Sequence, residues 1–293
     1  MRRAAGSPLE RGMRWAVPVL LGPSLAGVAV FDLLPFVEVI RRSFTDAMGR
    51  RFVGLTNYRT VLTNEAFRLA AANTARFLCT CIPLLLALSL GMALLVRTAG
   101  RASDWFKATY LLPLAIPVAS IVLLWKVLFA EAGLLNTLLG CLGADAVDFM
   151  GTGAAFWVLI ATYLWKNSGY DMILWLAGLD RIPKTQYEAA AVDGANAWQM
   201  FRAITWPGLR PTLLLTALLS LINSFKVFRE AYLVAGQYPH RSMYLLQHLF
   251  NNWFLDLELG RITAAAVLVV AGTVAGLAAV LLFRHCLRRK HSR

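Results

Sequence analysis

The chain has 293 residues, of which 58% are hydrophobic and only 15% are charged, and its formal net charge is +13. Soluble domains carry about 25% charged residues, so this composition excludes an ordinary water-soluble fold. The positive charge does not indicate nucleic-acid binding, because the basic residues flank apolar segments, as expected for basic loops on the cytoplasmic side of a membrane. We therefore expect an integral membrane protein that contacts the lipid bilayer and has no nucleic-acid partner.

Long apolar segments recur along the chain. About 20 apolar residues at 1.5 Å per residue cross a hydrocarbon core of roughly 30 Å. The two clearest segments, residues 77–96 and 262–283, contain no charged residue, and four others are long enough but more polar. The sequence thus predicts an all-α, polytopic membrane domain over residues 15–283 with six transmembrane helices, at about 15–39, 76–97, 108–129, 154–179, 211–235 and 262–283.

Basic residues border both ends of this domain. Residues 1–14 contain four arginines, and residues 284–293 contain four arginines and one lysine. The bias towards basic cytoplasmic loops predicts that both tails are cytoplasmic, which requires an even number of spans. The arginine-rich loop after the first span opposes this orientation, but the sum over the other loops favours it.

The predicted cytoplasmic segment at 180–210 contains helix signals between two apolar spans. Thr185 and Glu188 have the spacing of a capping box, and Gly194 suits the left-handed residue that ends a helix. Asn196 can cap a second helix, which Pro207 is expected to stop. The sequence predicts two short helices joined at a glycine, and helices this short need a surface to pack on. That surface is either the membrane interface or a partner protein.

Motifs for catalysis or metal binding are absent from the sequence. No G-x-x-x-x-G-K-[ST] phosphate-binding loop occurs, and neither the histidines nor the cysteines have ligand spacing. We therefore predict no catalytic residue, no metal site and no cofactor in this chain.

The spacing in the 180–210 segment resembles the signature of membrane subunits of binding-protein-dependent ABC transporters. That signature is Glu-Ala-Ala, three residues, Gly, nine residues, Ile, one residue and Leu-Pro, with Trp206 replacing the Leu here. Three stretches, 52–58, 175–195 and 224–236, are similar to the sugar-permease branch, which includes maltose and glycerol-3-phosphate importers. The signature residues of this chain are Glu188, Ala189, Ala190, Gly194, Ile204 and Pro207.

This resemblance implies the type I importer permease fold and a position in the cell membrane of a prokaryote. It also implies that the 180–210 segment docks on a cytoplasmic ATPase and conveys its closure to the spans. The implied partners are a second permease subunit, two ATPase subunits that bind ATP and Mg²⁺, and an extracytoplasmic sugar-binding protein.

Polar residues at membrane depth are candidates for a substrate path, because they are costly to bury in lipid. Hydrogen-bonding amides and stacking aromatic rings suit the hydroxyls and flat faces of sugars. Lys166 and Asn223 could instead fix helix packing through interhelical hydrogen bonds. The candidates for the substrate path are Asn223, Tyr163, Lys166, Asn167 and Phe225.

The sequence therefore predicts a permease subunit of an ABC importer for a sugar or related polyol. The main alternative is a self-sufficient, ion-driven secondary transporter, which would transport without any partner. A paired carboxylate relay and duplicated broken helices, which would favour that alternative, are not evident in the sequence. A membrane-bound enzyme is the third possibility, and no group of catalytic residues supports it.

Overall fold

The computed structural model describes residues 19–291, together with the side chains of most of them. The predicted cytoplasmic tails and the first residues of the first span lie wholly or partly outside what the structure describes. The described chain is helical, and its only strand-like pairing is an isolated bridge between Thr45 and Phe52. The prediction of an all-α membrane fold is confirmed.

Eleven helices are described. They are α1 (Val19–Ser43), α2 (Thr56–Thr63), α3 (Glu65–Thr98), α4 (Ser103–Ala115), α5 (Val118–Phe129), α6 (Leu134–Cys141), α7 (Ala154–Asp180), α8 (Lys184–Val192), α9 (Ala197–Ala235), α10 (Leu246–Leu255) and α11 (Leu259–His291).

Five helical stretches of the described residues are long and apolar enough to cross a membrane. They are Val19–Ser43, Glu65–Thr98, Val118–Cys141, Ala197–Ala235 and Leu259–Ala279. The predicted span at 154–179 corresponds to α7, which has 27 residues but contains Lys166, Asp171 and Asp180. The predicted span at 108–129 is divided between α4 and α5, because the chain becomes extended at Ile116 and Pro117.

The described chain forms two compact units, one of residues 65–251 and one of residues 19–64 with 252–291. In the unit that contains residues 19–64, α11 packs on α1 and α2. Asn57 secures the end of α1 there, because its side-chain amide donates to the backbone oxygens of Ser43 and Thr45 at 3.0 and 2.8 Å. Tyr58 adds a hydrogen bond between its hydroxyl and that of Ser43. The motif at 52–58 thus joins α1 to the loop that follows it.

In the second unit, α7 is the central helix and packs on α3, α4 and α9. Close approach to α4 requires Gly169, because a Cβ there would lie 1.9 Å from the backbone oxygen of Tyr110. Close approach to α9 similarly requires Gly178, where a Cβ would lie 2.4 Å from the hydroxyl oxygen of Thr212. Buried apolar clusters lie along both halves of α7, one around Phe77 and the other around Trp175.

Candidate functional site

The 180–210 segment forms two helical stretches, α8 and the start of α9, which are joined by a tight turn at Gly194, as its sequence predicts. Gly194 has φ +76°, a left-handed conformation that glycine adopts without the steric cost of a Cβ. The backbone N–H groups of Gly194 and Ala195 donate to the oxygens of Ala191 and Ala190, which is the Schellman pattern. Helix α8 therefore ends in a Schellman motif at Gly194.

Asn196 caps the start of α9. Its side-chain oxygen accepts from the backbone N–H of Gln199 at 2.9 Å, and the Gln199 side chain accepts from the Asn196 backbone at 2.8 Å. This reciprocal capping box confirms the prediction made for the second helix.

Two local predictions for this segment are wrong. Thr185 does not cap α8, because the helix begins one residue earlier, at Lys184, directly after the extended Pro183. Pro207 does not stop α9, which is helical from Ala197 to Ala235 with a π turn at Phe201–Thr205 and a 3-10 turn at Phe225–Val227. Only Trp206 separates the π turn from the proline, and the wider hydrogen bonding of that turn accommodates the missing N–H of Pro207.

The inner face of the 180–210 segment packs on the long helices. Tyr187 and Ile204 lie against the buried cluster around Trp175, and the hydroxyls of Tyr187 and Thr205 are 2.9 Å apart. The guanidinium of Arg97 lies 5.1 Å from the centre of the Tyr187 ring, within cation–π distance. These contacts fix α8 to the start of α9.

The outer face of the segment is exposed. The signature residues Glu188, Ala189 and Gly194 lie on it, while Ala190, Ile204 and Pro207 are half-buried. Val192 is 88% exposed and Trp198 is 67% exposed, and the Trp198 ring stacks on Phe201. The arrangement presents an apolar and aromatic surface, with the carboxylates of Glu188 and Asp193, to anything that binds there. Trp206 extends the aromatic row, since its ring lies 6.4 Å from that of Phe201.

A polar cavity of about 560 Å³ lies at the middle of α7 and near the end of α9 that is remote from the segment. Three parts of the chain line it. They are the extended break between α4 and α5 (Leu114, Ala115, Ile116, Pro117, Val118), one face of α7 (Thr162, Tyr163, Lys166, Asn167, Tyr170) and the last part of α9 (Asn223, Lys226, Val227, Arg229, Glu230). This volume falls in the range of 300–1,000 Å³ that small-molecule sites occupy.

Four of the five predicted substrate-path residues line the polar cavity. They are Asn223, Tyr163, Lys166 and Asn167. The fifth, Phe225, lies outside the lining and is 37% exposed. One face of α7 lines the cavity because its polar residues recur at three- and four-residue spacing, at Tyr163, Lys166, Asn167 and Tyr170.

An ion pair crosses the cavity wall between α7 and α9. The Lys166 ammonium donates to a carboxylate oxygen of Glu230, and these side chains are 17% and 6% exposed. Lys166 therefore joins two helices, as the helix-packing alternative predicts, and its side chain also lines the cavity. The sequence alone did not identify Glu230 as the partner of Lys166. The indication available there was that the stretch at 224–236 contains ionisable residues.

A second polar connection lies beside this ion pair. The Tyr163 hydroxyl donates to the backbone oxygen of Ser220 at 2.8 Å, and the Ser220 hydroxyl is 2.7 Å from a carboxylate oxygen of the buried Asp171. Among the described residues Asn223 makes no such interhelical bond, and its side-chain oxygen accepts from Lys226, three residues on, at 2.8 Å. The cavity wall is thus held by long-range pairs, whereas Asn223 and Lys226 are positioned locally.

Comparisons with known proteins give a consistent result. The family model described as "Binding-protein-dependent transport system inner membrane component" matches residues 84–291. The chain is 31% identical to the trehalose/maltose transport system permease protein of Thermococcus litoralis, over 80% of this chain and 82% of that protein. It is 32% identical to the xylose/arabinose import permease protein of Haloferax volcanii, over 76% of this chain and 71% of that protein.

A solved structure shows the same fold. It is the crystal structure of a bacterial ABC transporter involved in the import of the acidic polysaccharide alginate, with a TM-score of 0.79 at 23% identity. The match covers 97% of this chain and 99% of the other. Together with the polytopic helical fold, the family match shows that the chain belongs to the inner membrane components of binding-protein-dependent transport systems.

Proposed function

We propose that this chain is a permease subunit of an ABC importer and forms part of the translocation path for a sugar or related polyol. The names of its relatives support the substrate class, since they include permeases for trehalose and maltose and for xylose and arabinose. Family membership does not favour an ion-driven transporter that works alone. The polar cavity, with its amide and phenol side chains, is the part of this chain suited to a sugar.

One observation carries the mechanism: two of the helices that line the cavity, α7 and α9, are those that lead into and out of the 180–210 segment. Helix α7 contributes Lys166 and Tyr170 to the cavity and ends at Asp180. Helix α9 begins at Ala197 in the segment and contributes Asn223 and Glu230. At 1.5 Å per residue, about 20 Å of α7 separates Lys166 from Asp180. A displacement of the segment therefore moves both cavity walls.

Rigid packing favours this transmission. The buried side chain of Ile182 lies against Gly208, where a Cβ would be 2.8 Å from its terminal carbon. Tyr187 and Thr205 join the two helices at their hydroxyls. A packed joint of this kind moves as a body when its outer face is pushed, because packed interfaces do not deform continuously.

In the proposed mechanism, two separate ATPase subunits bind ATP and Mg²⁺, and one of them receives the exposed face that carries Glu188. Closure of the ATPases shifts the 180–210 segment, and α7 and α9 open or close the cavity. A second permease subunit supplies the other wall of the path, and an extracytoplasmic binding protein delivers the sugar.

The test is ATP-driven uptake of radiolabelled maltose, xylose and glucose by the assembled importer in proteoliposomes. We expect Glu188→Lys combined with Gly194→Val to reduce uptake at least tenfold. The matched control is Gln186→Lys, which adds a charge to the same helix about 200° away from Glu188 and should leave uptake within twofold. Copurification of the ATPase with each variant shows whether docking is lost. Normal uptake by the double variant would refute the coupling role, and ATP-independent uptake by the chain alone would refute the importer assignment.

A further inference from the structure

The charges around the polar cavity do not balance. Three of its lining residues are basic, Lys166, Lys226 and Arg229, and one is acidic, Glu230. The other titratable side chains in the lining are the phenols of Tyr163 and Tyr170, which carry no charge near neutral pH. The lining therefore has a formal net charge of +2.

One of the three cations is already neutralised within the structure. Lys166 and Glu230 form an ion pair in which both side chains are largely buried. Glu230 then has no second basic partner, since its other carboxylate oxygen accepts no hydrogen bond among the described residues. The positive charge that the cavity presents comes from Lys226 and Arg229.

Neither Lys226 nor Arg229 has an acidic partner among the described residues. Lys226 donates to the neutral side-chain oxygen of Asn223 at 2.8 Å, which directs its ammonium along the cavity wall. No carboxylate of the described chain lies within ion-pair distance of Arg229. Two unpaired cations in one concave site create a positive potential, which attracts anions more strongly than an exposed surface would.

The chemistry of the two side chains indicates the kind of anion. A guanidinium binds carboxylate or phosphate through two parallel hydrogen bonds, and an ammonium adds a compact positive charge. Asn167 and Tyr170 line the same cavity and offer hydrogen bonds to neutral hydroxyls. A neutral sugar would use only these polar groups and would give neither cation a counter-charge.

We infer that the polar cavity accepts an anionic saccharide or polyol, carrying a carboxylate or a phosphate, and that Lys226 and Arg229 select for its charge. This inference rests on the proposed function, since it specifies the substrate class of the same path. A competing explanation is that both side chains extend to lipid headgroups, because both are exposed in the isolated chain.

The experiment uses the assembled importer in proteoliposomes, with its own binding protein and ATPases. Three probes that share the glucose ring are compared: glucuronic acid, glucose 6-phosphate and glucose. The variants are Lys226→Gln, Arg229→Gln and their combination. The matched control is Lys126→Gln, an exposed lysine on α5 that does not line the cavity.

We expect the unaltered importer to take up at least one of the two anionic probes. In the double variant, uptake of that probe should fall at least tenfold. The ratio of anion uptake to glucose uptake should therefore fall at least fivefold in the double variant, and Lys126→Gln should behave as the unaltered chain with all probes. The carboxylate and phosphate probes distinguish a sugar acid from a phosphorylated substrate.

Four results would overturn the inference while the proposed function stands. The unaltered importer could take up glucose but neither anion, or the double variant could lose no uptake of any probe. The double variant could lose uptake of the charged and neutral probes equally. Uptake could also depend on the fraction of anionic lipid in the same way for all probes. The last result would assign the two cations to lipid headgroups. ATP-driven uptake of no probe at all would instead contradict the sugar assignment of the proposed function itself.

Discussion

The 180–210 segment and the polar cavity share the same two long helices, yet their side-chain hydrogen bonds differ in the length of sequence that they span. In the segment, Asn196 bonds to Gln199 three residues away and Tyr187 to Thr205 eighteen residues away. In the cavity wall, Lys166 bonds to Glu230 across 64 residues of sequence. The segment is exposed on its outer face, whereas the cavity pair is largely buried. We therefore expect substitutions in the cavity to change the free energy of unfolding of the whole unit, and substitutions in the segment to change stability only locally.

The largest expected effect is the loss of one member of the buried ion pair. Glu230→Leu leaves the Lys166 ammonium, whose side chain is only 17% exposed, without its counter-charge, which should destabilise the chain by about 3–5 kcal/mol. The combined variant Lys166→Met with Glu230→Leu removes both charges and should recover most of that loss, because apolar replacement of a buried pair is often neutral. Denaturant unfolding of the purified chain in detergent measures all three proteins.

The control for this comparison is an exposed ion pair. Lys107 donates to Asp104 at 3.0 Å on α4, where the carboxylate is almost fully exposed. Lys107→Met should give no measurable change, since exposed pairs contribute little. If the combined variant is no more stable than Glu230→Leu alone, the cost comes from lost packing and not from an unpaired charge.

The same contrast explains what could be predicted from the sequence. The helical membrane fold and the glycine turn follow from local patterns, because apolar run length, Gly194 and Asn196 act on neighbouring residues. The partners of Lys166 and Asp171 depend on how α7 and α9 pack, and no local spacing encodes that contact. The two local errors, at Thr185 and Pro207, have local causes. Pro183 sets the start of α8, and a π turn accommodates Pro207 within α9.

A second prediction concerns the close contact that positions α7. At Gly169→Ala the new methyl group would lie 1.9 Å from the backbone oxygen of Tyr110, and backbone cannot move aside as a side chain can. We expect a loss of about 1–3 kcal/mol or more, because overpacking forces the helices apart. Reduced uptake should accompany it, since Tyr170 beside this contact lines the cavity.

The matched control for Gly169 is another helical glycine with free space around it. Gly272 lies in α11, and no described atom is within 4 Å of the position that its Cβ would occupy. Gly272→Ala should be neutral or stabilise by up to about 1 kcal/mol, the difference in helix propensity. Thermal unfolding of the two variants separates the steric effect from the propensity effect. Equal losses in both would show that α4 and α7 are not packed as closely in solution as in the structure.

The smallest expected effects lie in the 180–210 segment. Gly194→Ala places a Cβ at φ +76° and should cost about 1–2 kcal/mol, although the surrounding space is open. Asn196→Ala removes the capping box and should cost about 0.5–2 kcal/mol. Because both residues act on the ends of short helices, we expect the cost to appear as local opening and not as a loss of global stability.

Amide hydrogen exchange, read by mass spectrometry over peptides from residues 184–200, measures this local opening. A loss of about 1 kcal/mol corresponds to roughly fivefold faster exchange. Thr185→Ala is the matched control, since the structure gives Thr185 no capping hydrogen bond, and its exchange should match that of the unaltered chain. Faster exchange in Thr185→Ala would show that Thr185 does cap α8, as the sequence predicts. If Asn196→Ala also spread fast exchange to the peptides around Lys166, the segment would share the stability of the cavity wall, and the two regions would form one cooperative unit.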